Sequence, residues 1–350
     1  MQIVHVNLAS SLGGGEHQTL ALMAGLRDQG IEQWLVHRKG SKVGVLAKDQ
    51  QFDTLPAGQA FLSLHADYWR KPVILHAHDG RSVHWARIVA GLHRLPYLVT
   101  RRTYNTPKDN RWTHSAYSGA CFVACVSGFV EEGMHGFDAA LNTCVVRSAV
   151  VGFSSDEERS NQLREAHSSR MIIAQVGRLA VEKEVGVTLE VARRLSASNL
   201  PLQFWILGDG PMRTELQTEA ADLDNVEFFG HRNDVGDFLA AADLLLHPAR
   251  HEALGSVIAE TMQHGVAVVA SRVGGIPEVV TDKQTGLLVE CGDVDGFCAA
   301  IETMYNEPEL RKRMAEAGRE RAGLFSLKVM TERYLELYRQ CLSECLNTQP

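Results

Sequence analysis

Two carboxylates stand eight positions apart in the segment PARHEALGSVIAETMQHG, Glu252 near its start and Glu260 further along. Leu254, Val257, Ile258 and Met262 recur at the spacing of one buried helix face. Glu260 falls about 130° from the middle of that face at 100° per residue, so it is not a core position. The apolar run LLLHP ends at Pro248, residues 249–253 form a loop, and a helix is predicted to begin near Leu254, with Gly255 and Ser256 in its first turn. The first amides of a helix have no intrahelical acceptor and carry about half a positive charge, which suits a phosphate. Glu260 lies roughly 9 Å further along the axis at 1.5 Å per residue. The two acids are therefore spaced to bracket a diphosphate, one reaching a group on either side of it, which is the layout of a sugar nucleotide. Alone, either glutamate would be an ordinary solvated residue.

The scaffold for such a site is legible as short apolar runs alternating with amphipathic stretches, the pattern of βαβ units and parallel sheets. Strands are predicted at 3–8, 33–37, 73–76, 97–100 and 121–126, then at 171–176, 203–207, 226–229, 244–247 and 266–270. Helices follow most of them, among them 16–29 and 82–92. A chain of 350 residues is the size of two domains. The polar segment SSDEERSNQLREAHSSR precedes a fresh strand and separates them, giving residues 1–160 and 161–350. Tyr334, Leu337, Tyr338 and Cys341 stand at helical spacing in a last helix, about 326–345, expected to pack back on the first domain. Ligands of such sheets bind at the carboxyl ends of the strands.

The segment PARHEALGSVIAETMQHGVAVVASRVGGIPEVV resembles the donor-binding core of family-four retaining glycosyltransferases of GT-B fold, with their Glu-x7-Glu pair and Gly-Gly-x-Pro-Glu turn. VGRLAVEKEV, ILGDGP, VEFFGHRNDV, TGLLVECGD and SLGGGEHQTL are similar to further motifs of that family, in the same order. The resemblance implies an α/β protein of two doubly wound Rossmann-like domains facing across a cleft. The first would bind the acceptor and the second the nucleotide sugar. It implies transfer of a sugar from a nucleoside diphosphate, with a UDP-sugar expected as co-substrate and no cofactor. The receiving hydroxyl would belong to a glycan or glycolipid of lipopolysaccharide or surface polysaccharide.

Residue by residue, Arg178 and Lys183 would hold the diphosphate and neutralise charge on the leaving group. Glu252 would bond sugar hydroxyls and support positive charge at the anomeric carbon, and Glu260 would accept from the ribose. The amides of Leu254, Gly255 and Ser256 would face the phosphates. Gly208 and Gly210 would turn the chain beneath the nucleotide, and His231 and Arg232 would flank the base. Of the run Gly13–Gly15, Gly14 and Gly15 would approach the diphosphate as a loop; a plain tight turn is the alternative. Relatives carry a histidine after the fourth strand, where this chain has Arg102 in LVTRRTYNTP. An always-charged arginine is no base, though it could bind phosphate or orient the acceptor, and transfer with retention and no covalent intermediate needs no base if the leaving phosphate oxygen takes the proton.

His76, His78, Asp79 and Arg101 are candidates for the acceptor side, against core, structural or helix-capping roles. Nine Lys/Arg against two Asp from Arg70 to Arg111, with Tyr68, Trp69, Trp85, Tyr97, Tyr104 and Trp112 interleaved, suggest an anionic acceptor or peripheral contact with an anionic membrane. A solvated basic face is the bland alternative. The net charge of −7 argues against nucleic acid. No metal is expected: of the Asp-x-Asp sequences at 222–224 and 293–295 neither follows a strand in a cleft-facing position, the first reading as a polar surface turn and the second as a helix cap. Seven cysteines without a CxxC pair read as reduced thiols. A strand-like start and the lack of any 18-residue apolar run suggest a cytoplasmic protein, peripheral on the inner membrane face at most. The rival readings are a sugar-nucleotide epimerase of the same architecture and a sugar-nucleotide-binding protein without turnover.

Overall fold

The computed structural model describes residues 1–62, 72–151, 153–198 and 200–347, the side chains of Leu62 and residues 344–347 excepted. Tyr68, Trp69, Arg70, Lys71 and the Cys345 side chain lie outside the described residues. The chain forms two compact units, Met1–Val151 with Ser326–Pro350, and Gly152–Phe325. The division falls at Val151 and not at residue 160, because the helix at 157–165 packs within the second unit.

In the first unit the strands are β1 (Gln2–Asn7), β2 (Glu32–His37), β3 (Thr54–Pro56), β4 (Val73–Ala77), β5 (Tyr97–Arg101), β6 (Phe122–Cys125) and β7 (Thr143–Val145). Its helices before the division are α1 (Gly14–Asp28), α2 (Lys42–Asp49), α3 (Ala57–Leu62), α4 (Gly80–His93), α5 (Arg111–Ser118) and α6 (Gly128–Phe137). All strand pairs are parallel, in the order β3-β2-β1-β4-β5-β6-β7.

The second unit opens with α7 (Glu157–Glu165). Its strands are β8 (Met171–Val176), β9 (Leu202–Leu207), β10 (Val226–Gly230), β11 (Leu244–His247), β12 (Ala267–Ser271) and β13 (Leu287–Val289). Between and after them lie α8 (Val185–Ser196), α9 (Arg213–Glu219), α10 (Val235–Ala241), α11 (Ser256–Gln263), α12 (Ile276–Val279), α13 (Val294–Asn306) and α14 (Pro308–Ala322). Its parallel order is β10-β9-β8-β11-β12-β13. Both sheets are Rossmann-like, and their inner strands are buried on both faces, which is why those strands read as largely apolar runs.

The chain then returns to the first unit as α15 (Leu327–Asn347). Met330, Tyr334, Leu337, Tyr338 and Cys341 line one face of α15 and join a core with Ile3, Leu22, Leu26, Ile74 and Leu98. Two hydroxyls dock it polar to polar: Tyr338 Oη lies 2.7 Å from His76 Nδ1, and Tyr334 Oη lies 2.7 Å from Thr100 Oγ1. The α1 side is closely fitted, since a Cβ on Gly25 would sit 2.2 Å from Thr331 Oγ1. Gly25→Ala is therefore expected to lower the stability of the first unit by about 1–3 kcal/mol. Thr331→Ala in the same chain should recover most of the loss in urea unfolding. No helix among the described residues is long and apolar enough to cross a membrane.

Candidate active site

In the second sheet the strand order reverses between β8 and β11, the switch point at which open α/β sheets bind ligands. The loops leaving β8, β9 and β10 are laced by backbone bonds: Gly177 N to Leu207 O, Leu179 N to Asp209 O, and Gly208 N to Gly230 O, at 2.8–3.0 Å. Gly208 and Gly210 are what allow this approach. Gly208 has φ +140° and its Cβ would sit 1.8 Å from the Gly177 carbonyl oxygen; that of Gly210 would sit 2.2 Å from Leu179 O. The β11 loop is tied in the same way to the β8 loop. Arg250 N donates to Glu182 O at 2.9 Å, and Arg250 Nε meets Glu184 Oε1 at 2.5 Å.

Glu252 sits at the centre of these ties. Its Oε2 receives Lys183 Nζ at 2.5 Å from the β8 side and His247 Nε2 at 3.2 Å from the end of β11. Both contacts fall on one oxygen, and Oε1 has no protein partner among the described residues. Behind the pair, Gln175 Nε2 donates to Lys183 O at 2.9 Å, and Gly275 N donates to Glu252 O at 3.1 Å. Burial opposes the charge on Glu252, but the His247 bond and the Lys183 cation outweigh it and hold the carboxyl at about 2. His247 is itself kept neutral chiefly by burial. The site is thus a fixed carboxylate with one free oxygen beside a cation.

The helix after this loop begins at Ser256, not near Leu254, because Gly255 has φ +91° and cannot continue a helix backward. The Leu254 side chain is buried, so that residue offers a ligand only its backbone. Glu260, on α11, is partly buried and has no hydrogen bond or ion pair among the described residues; burial alone raises it to about 7. Arg178 is exposed after β8, its side chain likewise without a partner among the described residues. His231 is exposed after β10. Arg232 is committed: Nε bonds Asp234 Oδ1 at 2.7 Å, a second nitrogen bonds Oδ2, and the guanidinium lies 5.3 Å over the Phe238 ring.

In the first unit the equivalent reversal lies between β1 and β4. Gly14 and Gly15 are the first residues of α1, not loop residues, and Glu16 Oε2 fixes the turn by accepting from Gly13 N at 2.8 Å. Asp79 is the cap of α4. Its Oδ1 accepts from Arg81 N and Ser82 N, and its Oδ2 accepts from Leu8 N at 2.6 Å, so both oxygens are engaged. Arg101 is bonded to Asn105 O and to the Tyr117 hydroxyl. His76 is structural, held between Tyr338 and Thr100. His78 is buried against His5 and Arg102.

The ring nitrogens of His5, His76 and His78 lie within 4.8 Å of one another. They make a poor cation site. Each nitrogen already has a hydrogen-bonding partner, and the Arg102 guanidinium lies 3.3 Å from His78 Nδ1. Of the two Asp-x-Asp sequences, Asp293 caps α13 through Gly296 N at 2.9 Å and Asp295 pairs with Arg194. Asp222 pairs with Arg193.

Residues 156–321, nearly the whole second unit, match the family model of glycosyl transferases group 1. That segment, a little under half of the chain, places the second unit among the group 1 glycosyltransferases, and the fold is GT-B. It is 28% identical over 354 residues to the lipopolysaccharide core biosynthesis glycosyltransferase LpsE of Rhizobium meliloti, covering 96% of this chain and 98% of that one. Against the lipopolysaccharide core biosynthesis glycosyltransferase LpsD of the same organism it is 32% identical over 171 residues, 48% of this chain and 49% of the other. The solved structure of the Anabaena protein HepE in complex with UDP superposes with a TM-score of 0.86 at 18% identity, over 97% of this chain and 100% of that chain.

Three positions of this transferase that matter to its geometry carry no motif. His247 ends an apolar strand five residues before Glu252, and a histidine closing an otherwise apolar run was the available signal. His5 and Gln33 are single polar residues inside β1 and β2, and only the sheet brings them to His78.

Proposed function

We propose that the enzyme is a retaining glycosyltransferase that moves a sugar from a nucleoside diphosphate, UDP for preference, to a hydroxyl of a lipopolysaccharide core or related surface glycan. The observation that carries this is the Lys183–Glu252–His247 group at the β8/β11 reversal, followed directly by the open N-terminus of α11 and the unpaired Glu260. Glu252 Oε1 is free to accept from a sugar hydroxyl. Lys183, Arg178 and the α11 amides supply positive potential for a departing diphosphate. Glu260 offers two carboxylate oxygens to a vicinal diol such as ribose. The UDP bound by HepE and the naming of the Rhizobium relatives support the base and the setting. With the leaving oxygen as proton acceptor, no cofactor or metal is required, and turnover should persist in a chelator.

The deciding experiment is a thermal-shift panel of nucleoside diphosphates and their sugars. A ligand at about a hundred times its Kd stabilises by roughly 2.7 kcal/mol, so UDP and one UDP-sugar should raise the melting temperature while UMP does little. A panel without response would refute the donor reading. An α-anomeric product from an α-linked donor, read by NMR, tests retention, and donor isomerised without any acceptor would favour the epimerase.

Exposed apolar residues in the first unit support peripheral contact with an anionic membrane. Ile88 and Leu92 on α4 are 41% and 59% exposed, one turn apart, and Trp112 of α5 is 51% exposed and stacked at 6.1 Å on His84. Arg81 in the first turn of α4, Lys108 before α5 and Arg111 at the start of α5 are also exposed. Exposed apolar side chains with exposed cations on the same two helices and the segment before α5 suit an anionic bilayer surface. Ile88→Asp with Leu92→Asp should reduce co-sedimentation with phosphatidylglycerol vesicles roughly tenfold at low salt, without altering the melting temperature. Equal sedimentation of wild type and variant would remove this face from the reading.

A further inference from the structure

A buried chain of hydrogen bonds in the first unit runs in one direction only. At its inner end Gln33 Nε2 donates to the Met23 carbonyl at 2.9 Å, a group that can only accept. Gln33 Oε1 therefore faces His5 Nε2 at 3.0 Å, and that nitrogen carries the proton. At the outer end the Arg102 guanidinium, which can only donate, places both terminal nitrogens 3.3 Å from His78 Nδ1. His78 Nδ1 is thus a lone pair, and the proton of that ring sits on Nε2, 2.9 Å from His5 Nδ1. A second proton on either ring would set N–H against N–H at one of these contacts. Both imidazoles are consequently neutral, and burial and the Arg102 charge act in the same sense on each.

Arg102 has no ion pair among the described residues; one terminal nitrogen also donates to the His78 carbonyl at 3.4 Å, while Nε–H and the second N–H of the other terminal nitrogen have no protein partner there. Its stem runs beside the start of α1, where a Cβ on Gly15 would lie 3.9 Å from Cδ. We infer that Gln33, His5 and His78 are positioning residues for Arg102, a one-way relay that holds its guanidinium as a fixed donor to a phosphoryl oxygen of the substrate. The ligand in this inference rests on the glycosyltransferase reading; the relay does not. His78 is accordingly excluded as a base, since its one lone pair is spent on Arg102.

The relay is tested on the whole protein by ¹⁵N-histidine NMR, which should show His5 and His78 as neutral Nε2–H tautomers across roughly pH 6–8. Gln33→Leu removes the acceptor for His5 and should release an Nδ1–H population in that ring. UDP and glucose 1-phosphate serve as phosphoryl probes, the first for the donor and the second for a phosphorylated acceptor. Arg102→Ala should weaken one of them about tenfold, and Gln33→Leu several-fold, while the double variant loses no more than Arg102→Ala alone. Gln33→Glu keeps an acceptor and should restore most of the affinity. Additive losses, no effect of Arg102→Ala on either probe, or an imidazolium or Nδ1–H ring in the wild type would overturn the inference. If UDP binds to no variant and not to the wild type, the donor reading fails while the NMR still judges the relay.

Discussion

Lys183→Ala is expected to cut turnover by roughly 10²–10³-fold, the loss seen when one charged or hydrogen-bonding stabiliser of a transition state is removed. The change does two things at once. It takes away a cation from the strand-β8 side of the proposed phosphate site, and among the described residues it leaves the Glu252 carboxylate with His247 as its only partner. In the wild type the carboxyl is held at about 2, below its ordinary 4.5. A group depressed in this way contributes stability that is complete above the unfolded value and is lost as pH falls through the folded one. The wild-type pair therefore survives mild acid and fails between about pH 4.5 and 2. Without Lys183 the folded value of Glu252 rises, so the acid limb of both activity and stability should move to higher pH. Glu252→Gln keeps the shape and removes the charge. It should lower turnover by a comparable factor and cost about 2–4 kcal/mol, because a partly buried Lys183 loses its counter-ion. Near-normal rates in both variants would mean that the pair is structural.

The scaffold was legible because parallel strands buried on both faces are apolar throughout, so β8, β9 and β11 stood out within a residue of their ends. The three-residue strands β3, β7 and β13 did not: they pair at sheet edges, are partly exposed, and in β3 include Pro56. Helix starts were misplaced wherever glycine decided them. Gly255 stops α11 from reaching back to Leu254, whereas Gly14 and Gly15 enter α1 despite poor propensity because Glu16 caps the turn from below. The acids and cations of the site were recognisable by type and order. Their mutual arrangement was not, since Lys183 and Glu252 are 69 residues apart and meet only because β8 and β11 are neighbours in the sheet. The relay behind Arg102 was least visible, as nothing local distinguishes a strand histidine that orients a neighbour from one that fills the core.

Binding of UDP should strengthen as pH rises through about 7, and Glu260→Gln should abolish that dependence while weakening binding about 10- to 100-fold. Glu260 is the one acid of the site whose carboxylate has neither a cation nor a donor among the described residues, and burial alone lifts it to about 7 from 4.5. With the folded value above the unfolded one, the empty protein is most stable, as far as this group matters, below about pH 4.5. It loses that increment as pH climbs to about 7 and is level above it. A diol donating two O–H groups to the carboxylate reverses the balance: it stabilises the ionised form, releases a proton on binding near neutrality, and gains affinity up to the point where the free site is already ionised. Calorimetry in buffers of different ionisation enthalpy would detect that proton. Glu260→Gln removes the buried charge, so the unliganded variant should melt roughly 2–4 °C above the wild type at pH 8 and no differently at about pH 4. A variant that binds worse yet is more stable, and only on the alkaline side, separates a ligand-accepting carboxylate from a glutamate that merely packs.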